Sequence, residues 1–319
     1  MDHNFDTLIV ITKPDLIRIK SNFMRVVKWL PKGRLIFIGS PDVKEVLDEW
    51  TKGDESGLTS RVGFINENDV IPFDSVHIVM TAKMQPLLKR RDLPRGVTGW
   101  YYQQFLKMEY SRFGEGEYYM SWDGDTVPCK DVVMFNESGV PFLDLKHEYN
   151  ELYFTTMGRL IPGLKKFIEA SFISEHMLFK RDIMQQLIAK IESNNAIEGE
   201  KFYEKIINCI PLEDIQENGF SEFETYGNFV CLTAPYIYRL REWHSFRLAG
   251  EFFDPDTISD DDYDWLSRDF DAISFEKGMT VREDHKNLFD NKEYQSKLSA
   301  RQMLMIAQEE FKDGYKEKL

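Results

Sequence analysis

The stretch TLIVITKPDLIRIKSNFMRVVKWLPKGRLIFIGS, residues 7–40, decides the fold. It opens with a β-branched apolar run (7–12) and closes with a second apolar run (34–40), each of strand length. Between them, apolar residues recur at helical spacing, at Leu16, Ile19, Phe23, Val26, Val27 and Leu30. A strand, a helix and a strand with short connections form a βαβ unit, which predicts a parallel sheet.

The rest of the chain continues this α/β pattern. Short apolar runs at 62–69, 75–80 and 117–122 fit further strands, and 100–110 has helical spacing. A strand end at 177 leads into an amphipathic helix. No glycine-rich phosphate-binding loop follows the first strand, so the sequence carries neither a dinucleotide fingerprint nor a P-loop.

Composition narrows the possible functions. The 319 residues carry a formal net charge of −14, which disfavours broad nucleic-acid binding because a phosphate backbone is repelled. Three scattered cysteines indicate neither a disulfide framework nor a zinc site. The N-terminus is acidic and no run approaches the ~20 apolar residues of a membrane span. We therefore expect a soluble cytoplasmic protein.

The sequence YYMSWDGDT, residues 118–126, carries the main chemical signal. Asp-Gly is a strong turn dipeptide, so the stretch fits a hairpin tip. It also places Asp123 and Asp125 after an apolar strand, and α/β sheets bind ligands at the carboxyl ends of their strands. Carboxylates without His or Cys beside them suit Mg²⁺ or Mn²⁺, and such an ion neutralises a departing diphosphate.

Four motifs in order, GWYYQQFLK, WDGDT, SEHMLFKRDIM and SEFETYGNF, carry a family resemblance. Together with the N-terminal βαβ unit, they resemble a family of bacterial glycosyltransferases of the GT-A class. The resemblance covers about residues 5–250. It implies a GT-A-like mixed sheet flanked by helices, and a metal-dependent hexosyltransferase that uses a nucleotide-diphosphate sugar in surface polysaccharide or glycolipid synthesis. Inversion is slightly favoured, and both inversion and retention stay open.

The resemblance also implies site residues. Asp125 is the stronger metal ligand, and Asp123 is a ligand or a ribose contact. A later histidine, His244, is the candidate third ligand. The groups expected against the nucleotide or donor sugar are Thr12, Lys13, Trp100, Gln104 and His176, although Trp100 and His176 also fit a packing role.

Two acids near the start of a predicted helix are candidates for the catalytic base. Ser221 fits an N-cap, and Glu224 three residues later fits a capping box with it. Glu222 and Glu224 also complement the helix dipole. In an inverting transfer a carboxylate takes the proton of the acceptor hydroxyl, and Glu222, which the capping box leaves free, is the preferred candidate.

The C-terminal part lies outside the resemblance. We therefore predict a catalytic domain at 1–250 and an extension at 251–319, with an extended, solvated acidic segment (254–271) and an amphipathic helix (296–319). This extension is expected to be dispensable for nucleotide binding. A basic cluster, Lys89, Arg90, Arg91 and Arg95, fits either a solvated loop or a diphosphate contact.

The expected partners are a nucleotide sugar and a glycan or lipid-linked acceptor, with no nucleic acid. Peripheral contact with the inner face of the membrane and a homo-oligomer are further expectations. Two other functions stay open: a nucleotidyltransferase, which normally has a glycine-rich loop after the first strand, and a non-catalytic protein that binds sugars or partners on a transferase-like fold.

Overall fold

A computed structural model of the protein describes residues 4–88 and 91–311. Its strands are β1 (Asp6–Val10), β2 (Leu35–Gly39), β3 (Val62–Asn66), β4 (Tyr118–Trp122), β5 (Thr126–Pro128), β6 (Phe142–Leu145), β7 (His176–Lys180), β8 (Arg239–Glu242), β9 (Ser245–Phe246) and β10 (Ala272–Ser274).

The α-helices connect these strands and continue past the last one. They are α1 (Lys13–Arg18), α2 (Phe23–Trp29), α3 (Pro41–Thr51), α4 (Glu67–Val70), α5 (Phe73–Leu88), α6 (Arg95–Glu109), α7 (Glu151–Leu160), α8 (Arg181–Glu192), α9 (Phe202–Cys209), α10 (Glu222–Thr233), α11 (Asp260–Leu266), α12 (Glu283–Phe289), α13 (Lys292–Lys297) and α14 (Ala300–Phe311).

The main sheet has the strand order β3-β2-β1-β4-β7. The first four strands are parallel, and β7 runs antiparallel to β4. The predicted α/β class, with a mixed sheet flanked by helices, is confirmed. Because β2 lies to one side of β1 and β4 to the other, the strand order reverses direction at β1. The carboxyl ends of β1 and β4 therefore form the edge at which open α/β sheets usually have their ligand crevice.

Two hydrophobic cores cover the two faces of this sheet. Successive residues of a strand point to opposite faces, so Leu8 lies in the first core and Ile9 in the second. Helices α5, α6, α8, α9 and α10 cover the first core, and α1, α2 and α3 cover the second together with helices after residue 250. Burial on both faces explains why β2 is apolar at every position.

The residues after 250 are built into this architecture. Strand β10 lies between β5 and β9 in a second sheet of three strands. The N–H of Phe275 donates to the carbonyl oxygen of Asp125 at 2.8 Å. Trp265, Phe289 and Leu304 are buried in the second core, beside residues of β1 and β2. The segment expected to be dispensable therefore supports the acidic turn directly.

Two predictions about local structure were wrong. Residues 75–80 lie in α5 because buried Phe73, Val76, Met80 and Met84 continue the helical spacing over a longer window. Part of the acidic segment is helical: α11 begins at the N-cap Ser259 and buries Tyr263, Trp265 and Leu266. The acids there complement the start of that helix.

Two predicted features lie only partly within the described residues. Residues 89 and 90 of the basic cluster lie outside the described residues, and Arg95 is paired with Glu67 at 2.6 Å. The C-terminal helix is described from 300 to 311, and 312–319 lie outside. Within the described ranges, no helix has the length and apolar character needed to cross a membrane.

We expect Ile273→Ala to destabilise the whole molecule by about 2–5 kcal/mol, because Ile273 is fully buried in the central strand of the second sheet. Urea unfolding followed by circular dichroism measures this effect. The matched control is Met305→Ala, at an exposed position of α14, which should change little. An unchanged main transition in Ile273→Ala, with a separate early one, would instead indicate an independent C-terminal module.

Candidate functional site

The acidic turn, Asp123-Gly124-Asp125, follows β4 directly and lies beside the carboxyl end of β1. It is a turn, because the N–H of Thr126 donates to the carbonyl oxygen of Asp123 at 3.1 Å. The interpretation as a hairpin tip was wrong, however, because β4 pairs with β1 and β7 whereas β5 pairs with β10. The turn therefore carries the chain from the main sheet to the second sheet.

Gly124 lets this turn approach the end of β1. A Cβ atom at this position would lie 2.7 Å from Cδ1 of Ile11, closer than side chains tolerate. Thr12 and Lys13 follow Ile11 directly, and Lys13 begins α1. Thr12 is exposed and its hydroxyl donates to Asp15 at 2.5 Å. The carboxylates and the two predicted nucleotide contacts thus follow neighbouring parallel strands.

A buried lysine that the sequence did not single out connects Asp123 to the candidate base. Nζ of Lys107 lies 2.9 Å from Oδ1 of Asp123 and 2.9 Å from Oε1 of Glu222. Lys107 and Glu222 are buried, whereas a third of the Asp123 side chain is exposed. Burial alone would lower the pKa of Lys107, but the two carboxylates outweigh it and raise that pKa, so the amine stays charged.

Asp125 has an excess of negative charge around it. Burial, together with the carboxylates of Asp123 and Glu276, raises the pKa of Asp125 to about 7, and Arg247 opposes this effect. The guanidinium of Arg247 binds Glu276 at 2.9 Å and also contacts Glu148. The site therefore holds more carboxylates than cations, a charge balance that a divalent cation would relieve.

Glu175 is the most unusual residue beside the turn. Its φ of +59° is in the left-handed region that non-glycine residues rarely adopt. Its carbonyl oxygen accepts the N–H of Asp123 at 2.8 Å, and its Oε2 accepts from the hydroxyl of Ser245 at 2.8 Å. Oε1 is buried without a hydrogen-bond partner among the described residues, and Nε of Arg247 is 3.8 Å away.

His176 is fully buried behind the site. Its Nδ1 lies 2.8 Å from the carbonyl oxygen of Ser174, and its Nε2 lies 2.7 Å from Oδ2 of Asp144. The ring also packs against Trp243, with ring centroids 4.3 Å apart. Both ring nitrogens therefore have partners within the protein, and the expected phosphate or sugar contact stays a prediction.

Other predicted site residues lie on surrounding elements. Trp100 packs its ring 4.8 Å from that of Tyr101. The side chain of Gln104 is buried and accepts the N–H of Glu222 at 3.1 Å, so it holds the start of α10. His244 is hydrogen-bonded through its main chain to Asp271. The donor-sugar and metal roles of these residues stay predictions.

The two candidate bases have different surroundings. Glu224 accepts from the hydroxyl of Ser171 at 2.6 Å, from the N–H of Phe172 at 3.1 Å and from the amide of Asn228 at 3.1 Å. The Ser221 hydroxyl accepts the N–H of Glu224, as predicted for an N-cap. The Glu224 carboxylate does not accept the N–H of Ser221 in return, so the predicted capping box is not formed. Glu222 is linked to the acidic turn through Lys107, whereas Glu224 joins α10 to the segment before β7.

Asp123 and Asp125 offer carboxylate oxygens, the type of ligand that hard divalent cations such as Mg²⁺ take. One oxygen of Asp123 is committed to Lys107, and Thr126 lies 3.3 Å from one oxygen of Asp125. Within residues 4–88 and 91–311, no group of three or more His, Cys, Asp or Glu side chains is arranged around a metal position. The pair suits an ion that takes its remaining ligands from water and phosphate oxygens, as Mg²⁺ commonly does.

The site contains residues that sequence patterns did not indicate, namely Lys107, Lys146, Glu148, Ser245, Arg247 and Glu276. Lys146 is buried, and its ammonium donates to the Ser245 hydroxyl at 2.8 Å. One signal was available: Lys107 lies next to the apolar face of its predicted helix, between Phe105 and Met108. A lysine at such a position either pairs its ammonium with a buried acidic group or extends its aliphatic stem so that the ammonium reaches solvent.

Comparison with known proteins gives matches to solved structures only. No family model and no curated protein matches the chain. Mouse xyloside xylosyltransferase 1 matches with a TM-score of 0.42 at 11% identity, covering 87% of this chain and 99% of that one. The galactosyltransferase LgtC, in complex with donor and acceptor sugar analogues, matches with a TM-score of 0.41 at 9% identity, covering 92% and 100%.

A third match is the mannosyltransferase Ktr4p from S. cerevisiae, with a TM-score of 0.38 at 11% identity, covering 69% of this chain and 67% of that one. All three are glycosyltransferases, the class that the sequence resembles. At this level of similarity, the matches assign no role to any residue of this chain.

We expect Asp144→Asn to cost about 3–5 kcal/mol at pH 7, because it leaves Arg241 and His176 without their buried carboxylate. Burial would raise the pKa of Asp144, but hydrogen bonds from Arg241 and His176 lower it below its ordinary value. The stabilisation is therefore present above the unfolded pKa of about 3.9 and is lost as the pH falls through the folded pKa.

Urea unfolding of the parent and of Asp144→Asn over a series of pH values tests this prediction. The difference in unfolding free energy should shrink on acidification. Asp131→Asn, at an exposed position, is the control and should follow the parent throughout. A difference between parent and Asp144→Asn that stays constant as the pH falls would contradict the assignment of the pKa.

Proposed function

We propose that the protein is a metal-dependent glycosyltransferase that moves a sugar from a nucleotide-diphosphate donor to a hydroxyl acceptor, in bacterial surface polysaccharide or glycolipid synthesis. The observation that carries the proposal is the place of the acidic turn. Asp123 and Asp125 follow β4 where the strand order reverses beside β1, and open α/β sheets bind their ligands at this kind of crevice.

The charges of the site suit this chemistry. A divalent cation, Mn²⁺ or Mg²⁺, held by Asp123 and Asp125 would neutralise the diphosphate as it leaves. Lys13 follows the neighbouring strand, and the part-exposed Arg247 lies among the carboxylates. Both cations are candidates for contacts with phosphate oxygens or the sugar.

The transfer needs a group that takes one proton. The acceptor oxygen bonds to the anomeric carbon, the bond from that carbon to the diphosphate breaks, and the hydroxyl proton passes to a base. Glu222 is the preferred candidate for an inverting reaction because Lys107 joins it to Asp123, whereas three donors hold Glu224 in the fold.

One observation favours the non-catalytic alternative. Lys107 already pairs with Asp123 and Glu222, and Arg247 pairs with Glu276. A site that neutralises part of its carboxylates in this way also suits a protein that only binds a neutral sugar. Metal-dependent release of sugar from a panel of nucleotide sugars separates the two functions, because a binding protein gives none.

We expect Asp125→Ala to abolish Mn²⁺-dependent binding of nucleoside diphosphates while the protein stays folded, since a direct ligand supplies a large part of the hold on the ion. Isothermal titration of UDP, GDP and ADP, each with and without Mn²⁺, measures this loss. Asp131→Ala, at an exposed position, is the control and should bind like the parent. Binding of Mn²⁺ and nucleotide by Asp125→Ala at the parent's affinity would show that the acidic turn is only a turn.

We expect Glu222→Gln to slow turnover by ~10²–10⁴-fold with nearly unchanged donor affinity, because it removes the base and retains the size of the side chain. Glu224→Gln should instead cost ~1 kcal/mol of stability and keep activity, because it weakens hydrogen bonds to a charged acceptor. Steady-state kinetics and thermal unfolding of both variants measure these effects. The opposite pattern would assign the base to Glu224.

A further inference from the structure

We propose that Lys107 is a positioning residue of the acidic turn: its buried ammonium fixes one oxygen of Asp123 and leaves the other oxygen for a divalent cation. The inference rests on the proposed function, because it concerns the same site. It assigns to a lysine on α6 a part in metal–nucleotide binding, although the lysine itself touches neither ligand.

The geometry around Lys107 is that of a bridge between three elements. The residue lies on α6, and its ammonium is 2.9 Å from Asp123 after β4 and 2.9 Å from Glu222 at the start of α10. Gln104, one turn earlier on α6, holds the N–H of Glu222 at 3.1 Å. The Phe223 ring covers the ammonium at 4.6 Å. Two side chains of α6 thus hold the start of α10 in place beside the turn.

Asp123 is the partly exposed member of this bridge. Its Oδ1 accepts from Lys107, its main-chain N–H is bound by Glu175, and its Oδ2 has no hydrogen bond from the described residues. A carboxylate held at one oxygen and at its own backbone has little rotational freedom. The free oxygen is therefore presented in one orientation, as a tight metal site requires.

Stability alone does not account for the bridge. A buried ion pair is often replaced by apolar residues of similar volume without loss of stability. Elsewhere in this chain, the buried Lys205 has a structural environment: its ammonium donates to the carbonyl oxygens of Asn194 and Ile197, at 2.7 and 2.9 Å. Lys107 instead binds two carboxylates, and one of them, on Asp123, belongs to a side chain that is partly exposed at the acidic turn.

The test uses the full chain with Mn²⁺ and UDP as probes, and with GDP or ADP in place of UDP if the parent prefers them. Lys107→Met alone would leave Glu222 buried without a cation, so Lys107→Met/Glu222→Gln is the main variant. Glu222→Gln alone and Lys205→Met are the controls. Calorimetry measures the affinity for Mn²⁺–nucleotide, and thermal unfolding measures the fold.

We expect the double variant to fold and to bind Mn²⁺–nucleotide at least tenfold more weakly than the parent. Glu222→Gln should bind like the parent because Lys107 still holds Asp123. Lys205→Met should lose stability and keep its affinity.

Parent-like affinity in a folded double variant overturns the proposal. A double variant that fails to fold, beside a folded Lys205→Met, assigns the bridge to the fold alone and also overturns it. A parent that binds none of the nucleotides with Mn²⁺ refutes the proposed function itself, and this outcome is distinguishable because it appears without any substitution.

Discussion

The site depends on the two ion pairs that the buried ammonium of Lys107 makes. The ammonium lies inside the protein with carboxylates on two sides, one from the acidic turn after β4 and one from the start of α10. A buried charge without such partners would be strongly unfavourable. The sheet, α6 and α10 therefore have to meet at this point, and the first core supplies the packing that brings α6 and α10 together.

Several features beside the acidic turn are unfavourable for the stability of the fold. Glu175 adopts a left-handed backbone and buries an oxygen that has no hydrogen bond from the described residues. Burial and the neighbouring carboxylates disfavour the charged form of Asp125. Backbone strain and unsatisfied polar atoms persist where the surrounding structure holds them, and they cluster at functional sites. Their coincidence where the end of β4 meets the start of β7 distinguishes this edge of the sheet from an ordinary turn.

Sequence patterns predicted the features that are determined by residues close together in the chain. The βαβ unit at 7–40 followed from two apolar runs with a helical pattern between them, and the acidic turn followed from two aspartates after an apolar strand. The error at 75–80 arose because a six-residue apolar run fits a strand, and only the longer window shows the helical period. Aspartates at 260–262 indicated a solvated segment, but Tyr263 and Trp265 bury the other side of that helix.

Non-local contacts could not be predicted in this way. Lys107 and Glu222 are 115 residues apart, and Arg247 meets Glu148 across 99 residues. Nothing in the sequence near Lys107 distinguishes a buried ammonium from one that reaches solvent along its aliphatic stem. The pairing of β5 with β10, which makes the C-terminal segment part of the site's support, likewise depends on the tertiary fold.

Anomalous X-ray diffraction from crystals grown with Mn²⁺ and a nucleoside diphosphate would show whether the acidic turn binds a metal ion, because it locates the ion without reference to activity. If Asp123 and Asp125 hold the ion, a manganese peak lies beside them, with the diphosphate on the open side of the ion. Absence of a peak there, or nucleotide bound elsewhere without contact to the acidic turn, would rule out this role of the two aspartates.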